Sequence, residues 1–450
     1  MITLDGSPVL TAAEMRVAED ATGDLAALMA RAGTAVAETV RRLAAGAEVL
    51  ILCGPGNNGG DGYVAAAALR AAGIPVRVAA SDEPKTDLAR AARERWSGPV
   101  EPLLAAAPAP VLVDALFGTG LARPLSSEMA DAFRRLAAQA RLTIAVDLPS
   151  GLASGEGAIM TEPPRCDLTL ALGAPKHSHL LQPAARFCGT VRLLDIGVSV
   201  GGDVRVLARP DLPEPGPDSH KYNRGMVAVV GGGMAGASEL AGLAALRAGA
   251  GYVLHLGENA STEPHAIVRK PWHAEALGEA RIGAVVVGPG LGRDQRGRER
   301  LDAALAGGRP LVVDGDALHL LDPDASRPAP TILTPHAGEF DAMFGPGKGS
   351  KIDRARAAAD RAKAVVVFKG ADTVIAAPDG RVRVAGDASD WLSTAGTGDV
   401  LAGACGAMLA AGLGPLEAAA AVVWLHREAA RRCGRSFIAD DLAAALSRVR

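Results

Sequence analysis

Aromatic residues are scarce: Phe, Trp and Tyr together make up 3% of the 450-residue chain. So thin a supply excludes the stacked aromatic platforms on which single-stranded nucleic acids are held. Net charge is nearly absent too, since 47 Lys and Arg face 50 Asp and Glu and leave −3. That balance provides no electrostatic footprint for nucleic acid or an anionic membrane. The 5 cysteines are odd in number and scattered, and no C-x-x-C occurs. This excludes a disulfide scaffold and a zinc knuckle, and reduced thiols in a cytoplasmic chain are expected. No basic region leads into an apolar run at the N-terminus, so no signal peptide is expected. A Walker P-loop is also missing. The nearest stretch, Gly347-Lys348-Gly349-Ser350, lacks Gly-Lys followed directly by Ser or Thr, and Phe344–Lys351 reads as a flexible surface loop. One segment imitates a membrane span, with Glu417 as the single charge from Val400 to Leu425. Gly412-Leu413-Gly414-Pro415 interrupts it, so it reads as two buried helices joined by a turn.

What remains is a soluble globular profile, 49% hydrophobic and 22% charged, too long for one ordinary core. At least two domains are expected. Along the chain, apolar strands alternate with glycine turns and helices. Strands are expected at Glu48–Cys53, Val76–Ala80, Val111–Ala115, Thr143–Asp147, Leu168–Leu172 and Val191–Ile196. A turn over Gly54–Gly62 and a helix over Tyr63–Ala72 separate the first two. A Pro-rich stretch at Ala208–Ser219 reads as a stiff linker. The pattern then restarts with strands at Met226–Val230, Tyr252–Leu256, Ala284–Val287, Pro310–Asp314 and Ala364–Phe368. Continuous apolar strands spaced by helices imply parallel sheets covered on both faces. The expected domains are residues 1–212 and 213–450.

Two loops match G-x-G-x-x-G in the strand-to-helix context of a dinucleotide fingerprint, Gly54–Gly59 and Gly231–Gly236. The pattern is loose, because any tight strand-to-helix turn selects glycine. The first loop is richer: Gly56-Asn57-Asn58-Gly59-Gly60-Asp61-Gly62 crowds two amides and a carboxylate at a helix start. Backbone N–H groups there suit a phosphate, and amide and carboxylate oxygens suit a hard cation. Helix capping explains Asn58 or Asp61 singly, but not the cluster.

Ligands of doubly wound folds bind beyond the carboxyl ends of strands. Asp114 leads into Phe117-Gly118-Thr119-Gly120-Leu121, and Asp147 leads into Leu148-Pro149-Ser150-Gly151. Each aspartate is also a plausible helix cap, but three polar loops on one edge favour a site. In the second half, Thr334–Glu339 and Lys369–Thr373 follow strands, and Ala395-Gly396-Thr397-Gly398-Asp399 opens a long helix. Successive N–H groups of Gly396–Asp399 form an anion cradle, and Asp399 is placed to take a proton from a hydroxyl aimed at a phosphate.

These residues resemble the bifunctional NAD(P)H-hydrate repair enzymes, an epimerase domain fused to an ADP/ATP-dependent dehydratase domain. The resemblance spans nearly the whole chain. It includes Leu10–Arg16, Leu28–Gly33, Gly54–Tyr63, Asp114–Leu121, Asp147–Leu152 and Ala174-Pro175-Lys176. It continues through Ser219-His220-Lys221, Ala244–Gly251, Gly288–Gly292, Pro335–Glu339 and Ala395–Gly403. The resemblance implies an α/β protein: a Rossmann-like doubly wound domain followed by a ribokinase-like α/β domain. By that resemblance residues 1–212 epimerise the R and S forms of hydrated NADH or NADPH. By the same resemblance residues 213–450 dehydrate the S hydrate to NAD(P)H by ADP- or ATP-dependent phosphorylation of its hydroxyl and loss of phosphate.

The family's sites carry over as expectations. A potassium ion falls on Asn58, Asp114 and Ser150. Hydrate contacts of the epimerase fall on Asn57, Asn58, Gly59, Gly60 and Asp61, on Gly118, Thr119, Gly120, Leu121, Ala122, Arg123 and Pro124, and on Asp147. Asp147 is the candidate acid/base, since epimerising a hydroxyl-bearing carbon needs a proton acceptor and donor. In the dehydratase, Asp399 is the base. Ala237, Gly290, Gly292, His336 and Asp399 match hydrate-contacting positions. Lys369, Gly370, Ala371, Asp372, Thr373 and Gly398 match the adenine-nucleotide site, with magnesium accompanying the nucleotide. The expected partners are these small molecules, with no nucleic acid and no membrane, in a cytoplasmic homo-oligomer.

Two stretches depart from the family pattern. After Ser-His-Lys comes Tyr222-Asn223-Arg224-Gly225, and after Lys176 comes His177-Ser178-His179, where glycine is more usual. The two histidines read as solvated loop residues. Two other functions remain open. One is an NAD-dependent dehydrogenase using the first glycine loop and Asp82, although no catalytic His or Tyr-x-x-x-Lys accompanies it. The other is a small-molecule kinase carrying a non-catalytic N-terminal binding module.

Overall fold

The structure is a computed structural model, and it describes residues 2–258 and 262–450. The chain forms two compact units, Met1–Val206 and Leu207–Arg450. The Pro-rich stretch lies just inside the second.

The first unit contains, in order, α1 (Ala12–Asp20), α2 (Leu25–Ala44), β1 (Val49–Cys53), α3 (Asn57–Ala71), β2 (Val76–Ala80) and α4 (Asp87–Arg95). It continues with β3 (Val100–Pro102), β4 (Val111–Ala115), α5 (Ser127–Ala137), β5 (Leu142–Val146), β6 (Leu168–Leu172), β7 (Thr190–Leu194) and β8 (Val204–Val206). Its sheet runs β3-β2-β1-β4-β5-β6-β7, and every pairing is parallel. β1, β4 and β6 are buried at all five positions. A strand covered on both faces has no polar side to alternate with, which is why these read as unbroken apolar runs. The winding reverses between β1 and β4, so a crevice opens beyond their carboxyl ends.

The second unit contains β9 (Met226–Val230), α6 (Ala235–Arg247), β10 (Tyr252–Leu256), β11 (Ile267–Lys270), β12 (Ile282–Val287), α7 (Gln295–Ala306), β13 (Leu311–Val313), α8 (Asp316–Leu320) and β14 (Thr331–Leu333). Then follow α9 (Ala337–Phe344), α10 (Lys351–Ala362), β15 (Val365–Phe368), β16 (Thr373–Ala376), β17 (Val382–Ala385), α11 (Thr397–Ala410), α12 (Pro415–Cys433) and α13 (Ala439–Val449). The sheet order here is β11-β10-β9-β12-β13-β14-β15-β16-β17. It is parallel as far as β15, and β16 and β17 add antiparallel. Those two antiparallel strands have no counterpart in the sequence expectations.

The alternating pattern and the parallel sheets agree with the sequence, with three local differences. The stretch expected as a turn through Gly62 is a turn only to Gly56, and α3 begins at Asn57. Its glycines are there for packing: a methyl on Gly59 would lie 1.9 Å from the Gly54 carbonyl oxygen, and one on Gly62 2.8 Å from Ala115. The loop expected over Phe344–Lys351 is shorter, because α9 runs to Phe344 and Ser350 caps α10. His177 and His179 are not solvated but buried, in a 3-10 turn after β6. Tyr222 is anchored by stacking on Tyr252, with the Arg281 guanidinium over its ring at 4.4 Å from the ring centre. Val400–Leu425 falls as expected into α11 and α12, with Gly412 at φ 93° between them and Pro415 opening α12. Among the described residues no helix is long and apolar enough to cross a membrane.

Candidate active sites

In the first unit the crevice between β1 and β4 is built by close backbone approach. A methyl on Gly54 would lie 1.7 Å from the Leu116 carbonyl oxygen, so only glycine brings these two loops together. Gly56 then opens α3 with no side-chain cap, which leaves the first N–H groups of the helix for a ligand.

Asp114 is fully buried. Its Oδ1 accepts from the Ser150 hydroxyl at 2.6 Å and from the Leu116 N–H at 3.1 Å, and its Oδ2 accepts from the Ser150 N–H at 2.7 Å. Ser150 Oγ in turn accepts from the Phe117 N–H at 2.9 Å. With its amide turned to match its neighbours, Asn58 donates to the Val146 carbonyl and accepts from the Gly118 N–H, each at 3.3 Å. Asn58, Asp114 and Ser150 are therefore joined through residues 116–118. Burial pushes the Asp114 carboxyl up to about 6, although the Ser150 and Leu116 donors favour its ionised form. Among the described residues no cluster of three His, Cys, Asp or Glu side chains offers a metal site. The oxygens gathered here suit only a hard cation.

Asp147 lies on the other side of Gly118: a methyl there would be 3.0 Å from the Asn58 side-chain amide and 3.1 Å from Asp147 Oδ2. Its backbone is left-handed at φ 62°, a conformation that costs a non-glycine residue about 1 kcal/mol or more. Asp147 Oδ1 accepts from the Lys176 ammonium at 2.5 Å. Burial, the largest single influence, opposes ionisation of Asp147, yet the Lys176 charge, His179 and the hydrogen bonds from Lys176 and the Leu172 N–H together hold the carboxyl below its usual range. Asp61, in α3, is pushed the opposite way, well above a normal carboxyl, by burial and then by the charges of Asp147 and Glu19. Carboxyl groups with pKa values driven apart are the pattern of an acid and a base sharing one site.

The remaining expected contacts separate. Asn57 accepts from the Thr86 hydroxyl at 2.7 Å. Gly59 and Gly60 are buried in the first turn of α3. Gly118 is buried and Thr119 half-buried, while Gly120, Ala122, Arg123 and Pro124 are exposed and Leu121 is half-buried. Asp82, the acid of the dehydrogenase reading, is exposed. Lys176 and Glu19 were missed as site groups. Lys176 carried a signal, since it ends the Ala-Pro-Lys stretch, but a lysine ordinarily reads as solvent-facing.

The second unit gathers charge around Lys369. Its ammonium lies 2.9 Å from Asp314 Oδ1 and 4.0 Å from Glu339 Oε2. Asp314 follows β13 and also accepts from the Thr334 hydroxyl at 2.7 Å. Gly398, at the start of α11, packs on this pair: a methyl there would be 3.2 Å from Lys369 Nζ. Gly396 precedes it at φ 89°, with no side-chain cap on the helix. Asp399 is raised to about 7, first by burial and then by Asp314, with Lys369 opposing. A carboxylate poised near neutrality is matched to general-base work.

Beside it lies a cavity of about 320 Å³, lined by Lys369, Gly370, Ala371, Thr373, Gly398 and His426 among others. That volume falls in the range of small-molecule sites. His426 Nε2 pairs with the Thr397 carbonyl at 2.9 Å, and burial lowers its pKa to about 4. Asp372 turns away and pairs with Lys351 at 2.6 Å. Ala237, Gly290 and Gly292 do not line this cavity. A methyl on Gly290 would lie 3.1 Å from Ala237 Cβ, and the Gly292 N–H donates to Asp316 at 3.0 Å. Exposed His336 caps α9, accepting from the Glu339 N–H at 3.2 Å. The second G-x-G-x-x-G loop packs on the Gly290–Leu291 backbone, since a methyl on Gly232 would lie 2.2 Å from the Leu291 carbonyl oxygen.

Two doubly wound units, each with carboxylates and glycine-rich turns at strand ends, define an α/β enzyme with a candidate site in each unit. The second unit's fold is that of a ribokinase-like superfamily protein from Enterococcus faecalis, at TM-score 0.50 and 22% identity, over 56% of this chain and 96% of that one. Residues 227–449 match the family described as NAD(P)H-hydrate dehydratase, and residues 25–178 match the YjeF-related protein N-terminus. The bifunctional NAD(P)H-hydrate repair enzyme of Salinibacter ruber is 35% identical, covering 98% of this chain and 96% of its own. The enzymes of the same description from Mycobacterium tuberculosis and Escherichia coli are 37% and 33% identical, over 88% and 94% of this chain and 86% and 89% of theirs. The chain belongs to the family of bifunctional NAD(P)H-hydrate repair enzymes.

Proposed function

We propose that this enzyme restores hydrated NADH and NADPH, with epimerisation in residues 1–212 and dehydration in residues 213–450. The observation that carries the reading is the pair of separate carboxylate sites, Asp147 beside Gly118 in one unit and Asp399 beside Lys369 in the other. In the first, inversion requires one bond of the hydroxyl-bearing carbon to break and re-form on the opposite face, and Asp147 takes up and returns the proton that this exchange moves, while the open start of α3 and the Gly118–Pro124 loop hold the hydrate. In the second, Asp399 takes the hydroxyl proton, and the freed oxygen attacks the terminal phosphorus of ATP or ADP as the shortened nucleotide leaves. Departure of the new phosphate, with loss of a proton from the neighbouring carbon, restores the ring double bond. Lys369 and the N–H groups of Thr397–Asp399 steady the phosphoryl oxygens.

Two ions fit the residues present. Asn58, Asp114 and Ser150 would hold potassium, whose charge would offset a buried carboxylate otherwise met by neutral donors. Asp314, Asp316 and Glu339 all raise Asp399, an excess of negative charge that suits magnesium, with Asp314 and Glu339 as its oxygen donors. When bound, these ions supply charge neutralisation. A cytoplasmic homo-oligomer belongs to the same reading, and the free thiols, four of the five buried, agree with a reducing compartment.

The test is absorbance at the reduced-nicotinamide band when the protein meets hydrated NADH with ADP or ATP. Nucleotide-dependent recovery is expected. Phosphorylated product without recovery would point to the kinase reading instead.

A further inference from the structure

Lys176 is 1% exposed, and a buried ammonium is tolerated only when paired and hydrogen-bonded. Its Nζ donates to Asp147 Oδ1 at 2.5 Å and to the Leu172 carbonyl at 2.8 Å. One carboxylate oxygen is thereby tied down, together with the Leu172 N–H at 3.3 Å, and Oδ2 is left toward Gly118. His179 completes the arrangement. Its Nδ1 accepts from the Lys176 N–H at 2.8 Å, and its Nε2 lies 2.5 Å from the Asp147 carbonyl oxygen. These contacts assign one neutral tautomer, with the proton on Nε2 donated to Asp147. Burial, then the Lys176 charge, lowers the His179 pKa to about 4, so it stays neutral in working buffers. The imidazole thus bridges the backbones of Asp147 and Lys176, at the one aspartate held at φ 62°.

We propose that Lys176 and His179 are positioning residues for the epimerase carboxylate: Lys176 pairs with Asp147 and aims its free oxygen, and His179 fixes the left-handed backbone that presents it. The inference rests on Asp147 acting in epimerisation. Other ionisable groups face Asp147 from the packed elements, namely Glu19 of α1 and Asp61 of α3. Both are negative when ionised and oppose a charge on Asp147, so Lys176 is the group that offsets them. Removing its charge should move the acid limb of epimerisation upward.

The experiment follows interconversion of purified R and S hydrates by chromatography in the full-length protein without nucleotide, so that dehydration is idle. Wild type should hold its rate well into the acid range. Lys176→Met should lose on the order of 10²-fold at neutral pH and regain part of it as pH rises. Lys176→Arg should retain the wild-type acid limb with a smaller loss. His179→Gln should lower kcat with little change in KM and leave the acid limb in place. A uniform loss in Lys176→Met at every pH would overturn the proposal, as would Lys176→Arg no better than Lys176→Met. Should Lys176→Met fail to fold, the acid limb of Lys176→Arg decides: retained, it supports the proposal, and shifted upward, it overturns it. Absence of interconversion in the wild type would instead remove the epimerase reading itself.

Discussion

In the proposed function, Asp399 is the residue on which dehydration turns. It stands half-buried beside Lys369, and its pKa is raised to about 7 by burial and the Asp314 charge. A general base works only when ionised, so a raised pKa places the loss of activity on the acid side. Nucleotide-dependent recovery of NADH from the S hydrate should rise with pH through about 7 and level above it; a flat profile from 5.5 to 8.5 would exclude this role. Asp399→Asn keeps the shape and removes the acceptor, so recovery should fall on the order of 10²–10⁴-fold, with R/S interconversion intact. Asp114 carries a parallel expectation for the ion. Its oxygens are hard, so geometry must select among hard cations, and replacing potassium by lithium should slow epimerisation while leaving dehydration of the S hydrate unchanged. Equal epimerase rates in rigorously potassium-free lithium buffer would remove the site. Both aspartates were legible as carboxylates at strand ends. Lys176 was not, because a lysine acquires meaning only when the fold shows it sealed against Asp147.

At the scale of elements, α3 shows where composition misleads. Three glycines in its first six residues lower helix propensity by about 1 kcal/mol each, and they make the segment read as a turn. The fold overrides this because the start of α3 lies against the β1 turn, with Gly59 packed on Gly54 and Gly62 on Cys53 and Ala115. Gly59→Ala sets two effects in opposition. Helix propensity favours alanine by about 1 kcal/mol, but the new methyl would lie 1.9 Å from a backbone oxygen. Overpacking typically costs 1–3 kcal/mol, and a backbone atom cannot turn aside as a side chain can. We expect a net loss of about 1–2 kcal/mol, read as a lower urea midpoint, together with slower epimerisation as the Asn57–Asp61 turn shifts. A midpoint at or above wild type would show that the turn yields. The parallel strands were legible because burial on both faces leaves long apolar runs. The β16–β17 pair was not, since two four-residue strands carry too little pattern to register. The 177–179 turn misled in the same way as Lys176, because polar side chains are buried when their partners lie elsewhere in the chain.

At the scale of the molecule, each unit has its own apolar core, one drawn from Leu10–Ile196 and the other from Leu207–Val449. A substitution in one site should therefore leave the other's chemistry standing. That separation gives the fused arrangement a kinetic signature. An in-line transfer needs the accepting oxygen in one place relative to Asp399 and the phosphorus, so the second unit should take one epimer only. Spontaneous hydration supplies both, and a dehydratase alone would strand the other. On mixed epimers with excess ADP or ATP, wild type should recover NADH in one continuous course to completion. Asp147→Ala removes the carboxylate that Lys176 aims at the Gly118 loop while leaving the Asp399 site whole. Its progress curve should keep the early fast phase, with an amplitude equal to the S fraction at the start. The later conversion should slow to the rate of uncatalysed epimerisation. Adding wild-type protein late in the reaction should then release the stranded remainder. A mutant curve that completes as fast as wild type would mean that Asp147 is not the epimerase acid/base, or that the Asp399 site accepts both epimers. Separate assays on purified R and S hydrates tell these apart, since a dehydratase blind to configuration consumes the R hydrate at once.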